Sequence, residues 1–97
     1  MKIKNGILLS VSESDLKDGK FINNDITEIS EGCFNEFKSL SHVECKSVKK
    51  IGSYCFRWNE NLTSVSLPVL AECGSYCFSW NENLTSVSLP VLAECGC

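Results

Sequence analysis

Residues 52–73 and 74–95 carry the same 22-residue sequence twice in succession, and the only difference between the copies is Arg57 against Ser79. A fixed period of about 20 to 29 residues is typical of a solenoid, in which each circuit of the chain buries its apolar residues against the next circuit. We refer to each circuit as a coil. The direct repeat therefore predicts equivalent coils stacked on one another, with equivalent residues in contact.

The same period continues upstream of the two copies, but there only its apolar positions are kept. Ile29 lies 22 residues before Ile51. The other equivalent apolar positions are Cys33/Cys55/Cys77, Phe34/Phe56/Phe78, Leu40/Leu62/Leu84, Val43/Val65/Val87, Cys45/Leu67/Leu89 and Val48/Leu70/Leu92. An apolar frame with varying residues between its members predicts a shared buried core and a surface free to vary.

Each coil is predicted to contain short strands. Val65 lies between Ser64 and Ser66, and this alternation places the valine inside and both serines outside in a strand. Pro68 ends the strand because proline has no N–H to donate. Residues 70–73 are predicted as a second short strand, and residues 75–78 as a short helical or 3₁₀ turn on the opposite side.

The sequence LTSVSLPVLAECGSYCF at residues 62–78 resembles the BspA-like leucine-rich repeats, also called the Treponema pallidum type. Cys73 stands where that family usually has Ile, and Asn59 and Asn81 stand where it often has Cys. The resemblance covers about residues 26–97. It implies a short or truncated member with a mainly β solenoid fold, no enzymatic activity and a role in binding proteins. The role that the resemblance implies for larger members of that family is adhesion or binding of host proteins.

Residues 1–25 do not follow the period and are predicted to cap the first coil. Asn5-Gly6 predicts a β-hairpin turn, residues 12–17 a helical turn and residues 20–22 an extended segment. Residues 26–97 are then the repeats, with coils at about 29–50, 51–72 and 73–94. A further coil starts at 95–97.

The C-terminal end predicts self-association. A last coil without a cap leaves an unpaired strand edge and an apolar cross-section facing water. We expect a homodimer or a higher homo-oligomer to form through this end. The residues assigned to it are Leu89, Leu92, Cys95 and Cys97.

Charge and hydropathy argue against several classes of protein. The net charge is −3, and from residue 52 onward Arg57 is the only cation against four glutamates. Without a basic patch, nucleic-acid binding is not expected. No apolar run approaches the roughly 18 residues of a membrane span, and none resembles a signal peptide. The expectation is a cytoplasmic chain or a fragment of a larger surface or secreted protein.

The seven cysteines follow the repeat, so they are predicted to fill apolar positions of the core. One alternative is a thiol-rich metal site built from Cys73, Cys77, Cys95 and Cys97, because zinc prefers tetrahedral thiolates. Apolar residues serve equally well at the repeated positions, so no metal or cofactor is expected. His42 is the only histidine, and the repeated positions supply no Ser/His/Asp or Cys/His set. No catalytic residues are therefore expected.

Two sets of outward residues are candidates for binding other proteins. Trp58 and Trp80 would stack, either over the edge of the core or as an exposed aromatic pair suited to protein contacts. The outer sheet face would carry His42, Glu44, Ser64, Ser66, Ser86 and Ser88. The prediction is a non-enzymatic scaffold for protein–protein interaction. The alternative is a structural, self-assembling repeat unit, natural or engineered, with no external ligand.

Overall fold

A computed structural model describes residues 1–79 and 81–88, together with the backbone of residues 94–95. Short strands alternate with turns, and a 3₁₀ helix spans Glu13–Asp15. The strands are β1 (Lys2–Lys4), β2 (Ile7–Ser10), β3 (Lys20–Ile22), β4 (Glu28–Ile29), β5 (His42–Glu44), β6 (Lys50–Ile51), β7 (Ser64–Ser66), β8 (Glu72–Cys73), β9 (Ser86–Ser88) and β10 (Glu94–Cys95).

The strands form two sheets. The front sheet has the order β3-β5-β7-β9, and the back sheet has the order β1-β2-β4-β6-β8-β10. Apart from the antiparallel β1/β2 hairpin, neighbouring strands in both sheets are parallel. In the front sheet Val43 pairs with Val65, and Val65 with Val87, which is the 22-residue period seen as strand register. The predicted mainly β solenoid is confirmed.

The N-terminal segment supplies strands to both sheets. The hairpin predicted at Asn5-Gly6 joins β1 to β2, and both turn residues have positive φ, 52° and 78°. Leu8 of β2 pairs with Ile29, and Phe21 of β3 pairs with Val43. The ladders therefore begin before residue 26, although the sequence placed the whole of residues 1–25 outside the period. The exact extent of the cap stays a prediction.

The core is a set of columns in which equivalent residues lie on one another. The rings of Phe34 and Phe56 stack with centroids 5.1 Å apart, and those of Phe56 and Phe78 with centroids 5.4 Å apart. Phe34 and Phe56 are fully buried. Rings of this size bury more apolar area than any other core side chain, so this column contributes strongly to stability.

The third side of each coil consists of turns and is not helical, unlike the helical turn expected at residues 75–78. Alternate N–H groups on this side donate to the next coil: Phe34 N donates to the Cys55 carbonyl at 2.9 Å and Phe56 N to the Cys77 carbonyl at 2.8 Å. Between them, N–H groups such as that of Asn35 donate within their own segment. A helix would direct these donors to carbonyls within its own segment. Every second N–H group therefore joins two coils, and this prevents a continuous helix from forming on this side.

Repeated glycines lie where successive coils approach each other closely. A Cβ added to Gly52 would lie 2.5 Å from the Glu31 nitrogen, and one added to Gly74 would lie 2.5 Å from the Ser53 nitrogen. Any side chain at these positions would push the coils apart.

Asparagine side chains also join successive coils. Asn59 is fully buried, and its Nδ2 donates to the Phe34 carbonyl at 2.8 Å. Asn81 Nδ2 donates in the same way to the Phe56 carbonyl at 2.8 Å. The exposed Asn61 Nδ2 donates to the Lys38 carbonyl. These amides satisfy carbonyls on the turn side that have no ladder partner.

We expect Leu8→Ala to lower the free energy of unfolding by about 2 to 5 kcal/mol, because it deletes a fully buried side chain. Leu9→Ala on the same strand is the matched control. Leu9 is 40% exposed, and its loss should cost about 0.5 kcal/mol. Urea unfolding measures both. Equal effects would contradict the assignment of β2 to the core.

We expect Asn59→Ala to cost about 1 to 2 kcal/mol, because the carbonyls of Phe34 and Arg57 lose the Nδ2 donor. Asn59 Oδ1 is buried without a hydrogen-bond partner in the described part of the chain, and its removal offsets part of the loss. In Asn61→Ala, water can reach the Lys38 carbonyl, so the urea midpoint should change less. A larger loss in Asn61→Ala would exclude this role for the buried amide.

Candidate functional site

The outer face of the front sheet brings together the six polar residues that the sequence assigned to it. Ser64 pairs with His42 on one side and with Ser86 on the other, while Ser66 pairs with Glu44 and Ser88 in the same way. The residues on β5 and β7 are half-buried, and those on β9 are exposed. His42 Nδ1 and Ser64 Oγ share a hydrogen bond at 2.5 Å. This face carries hydroxyl, imidazole and carboxylate groups.

The sequence missed two members of this face. Lys20 and Ile22 of β3 pair with His42 and Glu44 and extend the same two rows toward the N-terminus. Ile22 is 54% exposed. The 22-residue shift that relates Val43 to Phe21 is the signal that could have identified them.

Trp58 is 44% exposed, so of the two roles expected for it the structure favours the exposed aromatic. Trp80, its predicted partner, lies outside the described residues. The Arg57 guanidinium lies 4.7 Å from the ring centroid of Tyr54 and 4.8 Å from that of Trp58. Its Nε donates to Asn35 Oδ1 at 3.1 Å.

Arg57 therefore has specific partners at the one position where the copies differ. Contacts of this kind between a guanidinium and aromatic rings are attractive because the ring face carries partial negative charge. Position 57 lies outside the repeated apolar frame, yet its side chain is held by Tyr54 and Trp58.

A surface groove of about 340 Å³ lies beside this aromatic group. It is lined by Glu36, Lys38, Trp58, Glu60 and Glu82. Three carboxylates and one ammonium leave it with net negative charge.

The core becomes accessible toward β9. Val43 and Val65 are 0% and 2% exposed, whereas the equivalent Val87 is 46% exposed. Leu84 is half-buried, whereas the equivalent Leu62 is fully buried.

The residues that the sequence assigned to the self-association end are described only in part. Cys95 pairs with Cys73 through its backbone in β10. Leu89, Leu92, Cys97 and the Cys95 side chain lie outside the described residues.

The five described cysteines that the repeat placed in the core are buried: Cys33, Cys45, Cys55, Cys73 and Cys77. Burial raises the pKa of Cys45 to about 12 and the pKa of Cys55 well above its usual value. A protonated thiol is a poor nucleophile and a poor metal ligand. Within residues 1–79 and 81–88, no group of three or more His, Cys, Asp or Glu side chains is placed to hold a metal ion.

The parallel ladders, stacked apolar columns and 22-residue register define a leucine-rich-repeat solenoid. Residues 12–94 match the profile described as BspA type leucine rich repeat region, in six copies. The protein therefore belongs to the BspA-type leucine-rich repeat family, whose repeats are scaffolds for protein interaction. The comparisons with curated proteins and with solved structures found no match. No helix in the described part of the chain is long and apolar enough to cross a membrane.

The buried thiols predict how stability depends on pH. The pKa of Cys45 is about 12 in the folded protein against 9.0 for an ordinary thiol, so the folded state holds the proton more tightly. This contribution to stability is complete below pH 9 and is lost as the pH rises toward about 12. Urea unfolding across this range should show a smaller decline in Cys45→Ala than in the unsubstituted protein. An identical decline would contradict the assignment.

Proposed function

We propose that this chain is a non-enzymatic scaffold for protein interaction that also associates with a second copy of itself through the face at β9. The observation that carries the second part is the 46% exposure of Val87, whose equivalents are buried in the preceding coils. Removing an apolar side chain of this kind from water in a contact with a partner stabilises the complex.

The strand edge supports the same contact. β9 pairs with β7 on one side, and no strand within the described residues pairs with its other side. A free edge is a template for another strand. Two-fold symmetry is the most common symmetry among homodimers. Two copies related by such an axis would pair β9 with β9 and cover Val87 in both.

Leu89, Leu92, Cys95 and Cys97 remain assigned to this association as part of the proposal. The period supports the first three, because their equivalents one coil earlier, Leu67, Leu70 and Cys73, are core residues with at most 6% exposure. Cys97 has no buried equivalent that supports it, and it is proposed because an intermolecular disulfide between two copies would join their ends.

The polar rows of the front sheet are the proposed surface for other proteins. His42, Glu44, Ser64 and Ser66 point outward while Val43 and Val65 hold the strands in the core. Substitution of the outward residues therefore leaves the buried column intact, which is what a scaffold with a variable surface requires.

We expect Val87→Glu to shift the protein toward monomer, weakening self-association at least about tenfold, because it places a charge in an apolar contact. Val69→Glu is the matched control, since Val69 is 38% exposed and is not part of β9. Sedimentation velocity over a range of concentrations, with reductant present, measures the change.

A strict monomer at high concentration, or equal self-association in both variants, would exclude the contact at β9. The purely structural alternative differs in one respect: it predicts association without any saturable external partner. Loss of the large species after reduction alone would place the contact at the thiols and not at the strand edge.

A further inference from the structure

Three aromatic residues lie where the backbone is left-handed. Tyr54, Trp58 and Tyr76 have φ values of 58°, 57° and 57°. Bulky L-residues rarely adopt this conformation because the Cβ crowds the carbonyl that follows. Strain of this kind persists where the surrounding structure imposes it, and it is concentrated at functional sites.

The fold itself does not require aromatic side chains at these positions. Gly32 is the equivalent of Tyr54 and Tyr76 one coil earlier, and its φ is 69°. Tyr76 leaves 53% of its side chain exposed. The aromatic residues are therefore strained without being fully buried in return, although the Tyr54 and Tyr76 rings stack with centroids 5.5 Å apart.

The contact made by Arg57 shows which chemistry these rings accept. Its guanidinium lies against both Tyr54 and Trp58. At the equivalent position of the next coil, Ser79 supplies no cation, and Tyr76 there is the more exposed of the two stacked tyrosines. The coil at residues 73–94 thus keeps the ring and lacks the chain's own guanidinium.

The charges beside the rings favour the same kind of ligand. The groove next to Trp58 is lined by Glu36, Glu60 and Glu82 and by one ammonium, that of Lys38. Even with the Arg57 guanidinium against Trp58 included, three carboxylates exceed two cations. Carboxylates around an exposed indole attract a cation and disfavour an anion, and aromatic and arginine contacts carry much of the binding energy at protein interfaces.

We propose that the face formed by Tyr54, Trp58 and Tyr76 with the adjoining groove binds a partner protein segment that carries arginine or lysine side chains. One cation lies against Tyr76, and others pair with the groove carboxylates. This inference rests on the proposed scaffold function and names a surface and a partner class for it. None of the residues named for this surface lies on β9.

The test is fluorescence anisotropy with labelled peptides of equal length, made of arginine, lysine or glutamate. The arginine peptide should bind the unsubstituted protein at least about tenfold more tightly than the glutamate peptide, with the affinity falling as salt rises. The double variant Trp58→Gly with Tyr76→Gly should weaken arginine-peptide binding at least about tenfold. Glycine accepts the left-handed backbone at both positions, so the unfolding midpoint reports whether the fold is retained.

A second variant, Glu60→Gln with Glu82→Gln, keeps side-chain size and should also weaken binding severalfold. Val69→Ala removes exposed apolar surface elsewhere and should leave the affinity unchanged. Equal binding of arginine and glutamate peptides, or full binding by a folded glycine double variant, would overturn the proposal.

Sedimentation of the same samples separates this inference from the proposed function. If the arginine peptide does not bind but the protein still self-associates through Val87, the basic-segment inference fails and the association stands. If the peptide binds a strictly monomeric protein, the inference stands and the association fails.

Discussion

Main-chain hydrogen bonding in a fixed register between successive coils is the interaction on which the rest of this structure depends. Parallel ladders on two sides and the bond from Phe34 N to the Cys55 carbonyl on the third tie each coil to the next. A slip of one residue would turn Val43 and Val65 outward and their serine and histidine neighbours inward. Every column of equivalent side chains follows from that register.

The register also makes each surface a row of equivalent positions. Where a row faces inward it forms a core column, such as the stacked phenylalanines. Where it faces outward it forms a polar row on the front sheet or the aromatic face at Tyr54 and Tyr76. Within the described residues, Val87 of β9 is exposed, whereas its equivalents Val43 and Val65 are buried. The proposed binding properties therefore follow from the same geometry as the stability.

Much of the core could be predicted, because a residue and its equivalent 22 positions later occupy the same environment. The buried positions of Leu40, Leu62 and Val65 follow directly from that shift. The 22-residue shift does not identify the partner of Leu8, because Leu8 pairs with Ile29 across 21 residues. One residue fewer conceals the repeat from any fixed-period comparison, so β2 was assigned to a cap.

The sequence by itself determined the period, the two-strand coil and the side chains that face the core, because apolar spacing encodes which positions are equivalent. Only the tertiary structure decided the turn side, where Tyr54 and Trp58 take positive φ and Arg57 packs against both rings. The backbone there is held by the N–H groups of Tyr54 and Trp58, which donate to carbonyls of the next coil, while the Arg57 N–H donates within its own segment. The carbonyls that accept them are brought into place by stacking, and no local pattern of residues specifies that.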